Sequence, residues 1–454
     1  MMKNSREKSR LTLPISALAL VMSSSALAQD INQTLISDVN IFNGIENKLY
    51  ENLDVLIENN KVVEIASGIK PSEGATVIDG QGKTLMPGLT DAHVHLTLND
   101  VPNVSIYEDT IFYSAALSVV GAKDMLLRGF TTVRDVGGPV GGIKRAIDSG
   151  KIPGPRVYPS NAFISQTSGH GDLATSKQYI SPYFTGIPDK AALFGWSYIA
   201  DGVPEVQKAA REVLRSGATQ LKVMAGGGVS SYYDPLDTLQ YTYEEMKAIT
   251  TEAEHWGTYV AVHAYTDGAV KQAVEAGVKS IEHGPFLKED TLKLMGEKGV
   301  WLSPQAFLFG MTPEQLNIVG TPSEPKMRMV NEKSEKMLTL AKKYNVKIAW
   351  GTDLFGPPEK QALQNMEFAA RKKYFSDYEI LKQATSDNAE LFRLSGLRDP
   401  YQQEAKLGVV EVGAYADLLI IDGNPLKDVS LLGDPSKNIQ MIMKDGVVYK
   451  NTLK

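Results

Sequence analysis

Between about residues 29 and 83 the chain runs in short stretches where apolar and polar positions alternate: TLISDVNIF, NLDVLIENNKVVEIA and ATVIDGQGKTL. A period of two marks a strand with one buried face, because successive side chains point to opposite sides. Asn59-Asn60 and Gly80-Gln81-Gly82 interrupt the pattern and predict hairpin or tight turns. The same signature returns at the far end, in GVVEVGAYADLLIIDGNPL and MIMKDGVVYKN, with Asp445-Gly446 as a further turn. The two ends are expected to pair into one small β-sandwich.

The middle of the chain has a different rhythm. Eight apolar runs stand out: LMPGLTDAHVHL, TTVRDVG, RVYPSNAFIS, QLKVMA, TYVAVHAY, SIEHG, WLSPQ and KIAWGTD. Stretches such as TYEEMKAITTEAEHWG and TDGAVKQAVEAG separate them, with apolar residues at helical spacing and a terminal Gly. Strands alternating with helices predict parallel βαβ units, and eight of them predict a barrel. The expected fold is α/β: a TIM-like (β/α)8 barrel over residues 85–404, with a β-sandwich domain composed of residues 29–84 and 405–454.

Residues 1–28 carry Lys3, Arg6, Lys8 and Arg10, then LTLPISALALVMSS, then Ala26-Leu27-Ala28 before Gln29. This order predicts a signal peptide cleaved after Ala28 and a periplasmic or secreted protein. Its apolar core is short and interrupted for a membrane span, with an uncleaved anchor as the alternative, and no stable anchor is expected after cleavage. Removing four basic residues and one acidic one moves the formal charge from −6 to −9. An acidic surface gains nothing from counterion release at a phosphate backbone, and no basic run interleaves with aromatics. The composition argues against nucleic acid and for a small-molecule or peptide substrate. With no cysteines, only His, carboxylate or a modified lysine remains as a metal ligand.

Histidine is scarce, six in 454 residues, and four of the six fall at ends of apolar runs: His93 and His95 in GLTDAHVHL, His263 in VAVHAY, His283 in SIEHGP. A His-x-His pair on an extended segment puts both imidazoles on one face. Asp353 in KIAWGTD adds a carboxylate able to hold a metal and to take a proton from water. A barrel gathers its C-terminal strand ends at one mouth, so these residues together predict metal-assisted hydrolysis. Lys222 in LKVMAGGG has two readings: an ordinary lysine snorkelling at a strand end, or a carbamate formed with carbon dioxide, whose two oxygens bridge a pair of cations. Among the loops, His170 in SGHGD is expected to face the same mouth, with a loop-capping role as the alternative. Tyr232 and Tyr233, beyond the Gly226-Gly227-Gly228 run, are expected at a substrate carboxylate or in ordinary packing. Arg134 and Asp135 are expected to organise the barrel mouth, and His255 in EAEHWG to be structural or exposed to solvent.

GLTDAHVHL, LKVMAGGG, VHAY, IEHG and GTD, in this order, resemble the amidohydrolase superfamily over nearly the whole mature chain. TSGHGD and LKVMAGGGVSS are similar to its Xaa-Pro dipeptidase and carboxypeptidase branch, which includes ochratoxin-hydrolysing amidases. The resemblance implies two Zn2+ per chain, with His93, His95 and Asp353 at one ion and His263 and His283 at the other. Carboxylated Lys222 and a hydroxide would bridge them. It places His170 at the substrate carbonyl or oxyanion and implies a homo-oligomer, with an octamer among the forms it allows.

The activity this suggests is cleavage of an amide next to a C-terminal amino acid, in a dipeptide, an N-acyl amino acid or an ochratoxin-like amide. Hydroxide attacks the carbonyl, and Asp353 passes the proton to the leaving nitrogen. The same metal pair also suits a phosphotriesterase or lactonase, and cyclic amide hydrolysis or deamination is a further alternative. A barrel that has lost catalysis and only binds is the non-enzyme alternative. All six expected ligands are present, which weighs against it.

Overall fold

The computed structural model describes residues 32–100, 104–108, 110–173, 186, 189–231 and 234–453. The expected signal peptide, Tyr232 and Tyr233 lie outside the described residues. The chain begins with β1 (Gln33–Ile41), β2 (Tyr50–Glu58), β3 (Lys61–Ala66) and β4 (Thr76–Pro87). It continues through β5 (Leu89–Val94), β6 (Phe130–Asp135), β7 (Arg156–Pro159), β8 (Phe163–Ser165), β9 (Ser197–Ile199) and β10 (Leu221–Met224). Then come β11 (Val260–Ala264), β12 (Ser280–His283), β13 (Trp301–Ser303), β14 (Lys347–Ile348), β15 (Leu418–Ile421), β16 (Ile439–Lys444) and β17 (Val447–Asn451).

Strands β5-β6-β7 form one parallel sheet and β14-β13-β12-β11-β10-β8-β9 another. Backbone hydrogen bonds join them into a ring. On one side Ala92 N donates to Trp350 O and Asp353 N to His93 O, both at 2.8 Å; on the other Thr219 N donates to Pro159 O, also at 2.8 Å. Eight staves result, as the sequence pattern predicts, although the third is broken. RVYPSNAFIS kinks at Asn161, whose φ of +54° is left-handed, so β7 follows β6 while β8 turns to β10. The helices between staves have the ends their sequences specify. Thr242 and Glu245 form a reciprocal capping box at the start of Tyr243–His255, and Gly277 ends Asp267–Ala276 at φ +111°.

The two chain ends build a single seven-stranded sheet in the order β17-β16-β15-β4-β1-β2-β3. Its apolar face buries Ile36, Val55, Leu85, Leu418 and Met441. Asn59-Asn60 and Asp445-Gly446 are two-residue hairpin turns, joining the pairs Glu58↔Lys61 and Lys444↔Val447. Asp445 and Gly446 both have positive φ, +53° and +70°, as a turn matched to strand twist requires. Gly80-Gln81-Gly82 is not a turn: it is a bulge inside β4, where the register against β1 shifts between Ser37 and Val39. The left-handed Gln81 and Gly82 absorb the extra residues without ending the strand.

Arg156 on β7 joins barrel and end sheet. Its guanidinium pairs with Asp417 at 3.2 Å and with Asp445, and lies 3.9 Å over the Tyr415 ring. Arg156 and Asp417 are both buried, and truncating one partner of a buried ion pair strands the other. Arg156→Ala is expected to destabilise the protein by about 3–5 kcal/mol in urea titration. A loss below about 1 kcal/mol, the range of exposed pairs, would show that this ion pair does not hold the joint.

Candidate metal centre

Parallel staves deliver their C-terminal ends to one mouth of the barrel, and the chemistry-bearing residues arrive there together. His93 is on β5 and His95 just beyond it; Lys222 is on β10, His263 on β11, His283 ends β12, and Asp353 follows β14. Nε2 of His93 lies 3.2 Å and Nε2 of His95 3.3 Å from Asp353 Oδ1. One donor atom from each of His93, His283 and Asp353 lies within 4.8 Å of the others. The His283 ring centre is 4.5 Å from that of His263. These six residues and His170 line one cavity of about 610 Å³. His283 and Asp353 both have left-handed backbones, φ +79° and +54°, a conformation costly for residues with a Cβ. Local hydrogen bonds hold them in it, from Gly284 N to Ala264 O and from Asp353 N to His93 O.

Every histidine of the cluster has one ring nitrogen committed to a fixed acceptor. Nδ1 of His93 lies 2.8 Å from Glu282 Oε2, Nδ1 of His95 3.0 Å from Gly137 O, and Nδ1 of His283 2.7 Å from Gln305 Oε1. Nε2 of His263 lies 3.2 Å from Gly227 O. Gln305 is oriented by its own donation to Ser303 O, so its oxygen accepts. In the neutral rings this leaves Nε2 of His93, His95 and His283 and Nδ1 of His263 as lone-pair donors. Two such nitrogens facing one carboxylate oxygen repel it unless a cation lies between them. Imidazole nitrogens and carboxylate oxygen without thiolate are a donor set that fits Zn2+.

The electrostatics agree with ligation. Burial pushes His263 and His283 well below the ordinary imidazole range, so both rings stay neutral. Burial would raise Asp353, but a proton on His93, whose own pKa Asp353 raises against burial, outweighs it and holds the carboxylate well below its usual range; a bound cation would supply that charge in the proton's place. Lys222 is 1% exposed, and burial lowers its amine to about 8 despite Glu282 and Asp353 nearby. Among the described residues its amine has neither a hydrogen bond nor an ion pair.

Glu282 is the main site residue that sequence reasoning missed. It is fully buried, accepts from His93, and is paired to Arg134 Nη2 at 2.7 Å and to Ser280 Oγ at 2.7 Å. Burial alone would raise its carboxyl; Arg134, His93 and Lys222 override that and hold it low. The available signal was Arg134, since a charged residue inside an apolar strand needs a buried anion. Arg134 and Asp135 do organise the mouth: Asp135 accepts from Leu96 N and Gly137 N, at 2.7 and 3.1 Å. His170 stacks on His263, with ring centres 3.9 Å apart and planes at 13°. Its Nδ1 is 2.8 Å from Ser231 Oγ and 3.2 Å from Asp234 Oδ2. Gly228 permits this arrangement, since a Cβ there would sit 2.1 Å from the His170 ring. Lys326 fixes the same loop by donating to the carbonyls of Gly228, Ser231 and Asp234. His255 is exposed at the end of its helix.

The Amidohydrolase family model matches residues 84–449. Ochratoxinase of Aspergillus niger is 32% identical over 381 residues, covering 81% of this chain and 75% of its own length. The crystal structure of an amidohydrolase is 34% identical with a TM-score of 0.85, covering 93% of this chain and 100% of its own. That of a prolidase complexed with N-methylphosphonate-L-proline is 33% identical with a TM-score of 0.83, covering 92% and 100%.

Replacing Glu282 by Gln removes the charge that fixes the His93 tautomer while keeping its shape. Metal affinity, read by competition with a chromogenic chelator, is expected to fall about 10- to 100-fold. Unchanged affinity would show that Glu282 serves Arg134 alone.

Proposed function

Because this chain belongs to the amidohydrolase family, we propose that it is a metal-dependent hydrolase cleaving the amide next to a C-terminal amino acid. The substrate is a dipeptide, an N-acyl amino acid or an ochratoxin-like amide. The observation that carries this reading is the convergence of four neutralisable imidazoles, Asp353 and the buried Lys222 on one cavity. The likeness to an ochratoxinase and a prolidase supports the bond type.

We assign two Zn2+ as cofactors: His93, His95 and Asp353 would hold one, His263 and His283 the other, and Lys222, as a carbamate, both. A share of uncharged amine near neutrality favours that modification. When bound, the ions supply Lewis acidity to the carbonyl and lower the pKa of water to about 7. Asp353 takes the proton of the attacking water and returns it to the leaving nitrogen. Burial would raise Asp234, but His170 outweighs it and holds the carboxylate below its usual range, so its Oδ2, 3.2 Å from Nδ1, fixes the orientation of the His170 ring. So oriented, His170 lines the cavity and would donate from Nε2 to the carbonyl oxygen as charge develops. Phe163, Trp196, Phe309 and Phe355 wall the cavity and thin the water around it. Export rests on residues 1–28; among the described residues no helix is long and apolar enough to cross a membrane. A homo-oligomer is proposed on the resemblance alone.

Purified protein is expected to carry about two metal ions per chain, to lose amide hydrolysis on chelation and to regain it with zinc. Lys222→Ala and Asp353→Ala are each expected to lower kcat/KM by at least about 10³ on dipeptides and N-acyl amino acids. Cleavage of a phosphotriester with every amide untouched would overturn the proposed bond type.

A further inference from the structure

The cavity has two cationic side chains among its described lining residues, Lys222 and Lys360. Lys222 lies at the floor, near Glu282 and Asp353. Lys360 stands on the wall, half-buried, and among the described residues no hydrogen bond or ion pair engages its ammonium. Its Nζ lies 4.8 Å over the Phe355 ring, and that ring lies edge-on to His95 with centres 6.0 Å apart. The ammonium is therefore one aromatic ring away from the metal ligands.

Its backbone is fixed. Lys360 belongs to the short helix Pro358–Gln361, and Gln361, buried beside it, donates to Asn99 Oδ1 at 2.8 Å and to Gly356 O at 2.9 Å. Gly356 N in turn donates to Leu98 O at 2.8 Å. An ammonium held on an anchored turn costs less to order around a ligand than one on a loose loop. A partly desolvated cation held only by an aromatic face and the more distant charge of Asp353 has no hydrogen-bonding anion among the described residues, which suits a place a ligand anion completes.

The spacing selects the anion. With standard bond lengths an amino-acid amide spans about 4–5 Å from scissile carbonyl carbon to carboxylate oxygen. A charge-assisted hydrogen bond adds about 2.8 Å. That reach of about 7–8 Å is commensurate with the path from Nζ across Phe355 to His95, whose two legs are 4.8 and 6.0 Å. Glu108 and Asp172, elsewhere on the lining, disfavour a substrate anion that lacks such an anchor.

Resting on the amide-hydrolase reading above, we propose that Lys360 ion-pairs with the free carboxylate of the amino acid on the leaving side of the scissile bond. It is then the residue that sets specificity for a C-terminal amino acid over an internal or capped one.

The test uses the metal-loaded full chain and matched substrates: N-acyl-L-phenylalanine and dipeptides ending in phenylalanine, each beside its C-terminal amide. Wild type is expected to favour the acid by about 10- to 100-fold in kcat/KM, the range of a charge-assisted contact. In Lys360→Met and Lys360→Gln that ratio is expected to fall to near one, chiefly through KM for the acid, while Lys360→Arg keeps most of it. Calorimetry with L-phenylalanine alone is expected to show a loss of binding of at least about tenfold in Lys360→Met, at equal metal content and melting temperature. If wild type prefers the acid and both neutral variants keep the preference, the Lys360 assignment fails and the amide-hydrolase reading stands. If wild type cleaves no member of either series, that reading fails and the assignment falls with it.

Discussion

A single buried guanidinium ties the barrel together. Arg134 on β6 is inaccessible to solvent, and a charge so placed persists only with its donors satisfied. Its Nε donates to Ala92 O on β5, Nη1 to Tyr259 and Ser280, and Nη2 to Glu282 on β12. Three staves are thus held to one cation. Glu282, the anion that makes this tolerable, also accepts from His93 and so decides which nitrogen of that ring faces Asp353. The core ion pair and the candidate metal site thus share one carboxylate.

What the sequence revealed and what it hid follow from the range of the interactions involved. The clustering of the histidines was legible because strand alternation and strand ends are local properties, visible in His93-Val94-His95 without any partner. The staves and the capped helices were legible for the same reason. The break at Asn161 and the bulge at Gly80-Gln81-Gly82 were not, since each depends on a neighbouring strand that forces an otherwise plausible run or turn into another geometry. Glu282 and Gln305 were missed because their role is defined only by rings that approach from other staves. Lys360, on a turn rich in proline, has nothing local to mark it; only the cavity wall does.

The mouth divides its labour by depth. Imidazoles, Asp353 and Lys222 occupy the floor on rigid strand ends, while aromatic side chains and the loop bearing Ser231 and Asp234 form the walls. That loop is held from the helix Ser323–Lys343 through Lys326, so the support of His170 comes from a segment nearly 160 residues further along the chain. Rigid floor and braced wall suit a reaction whose charge develops at one oxygen.

The end sheet sets a timetable as well as a shape. β4 needs β15 as a neighbour, and the contact between Lys83 and Asp422 joins residues 339 apart in the chain. At ordinary rates of synthesis the ribosome takes tens of seconds to cross that interval. Throughout it β4 presents an unpaired, largely apolar edge, the kind of surface that recruits other chains. Until its last strands arrive the chain carries that edge open, and being held unfolded over the interval, as the proposed export would hold it, keeps the edge from recruiting partners.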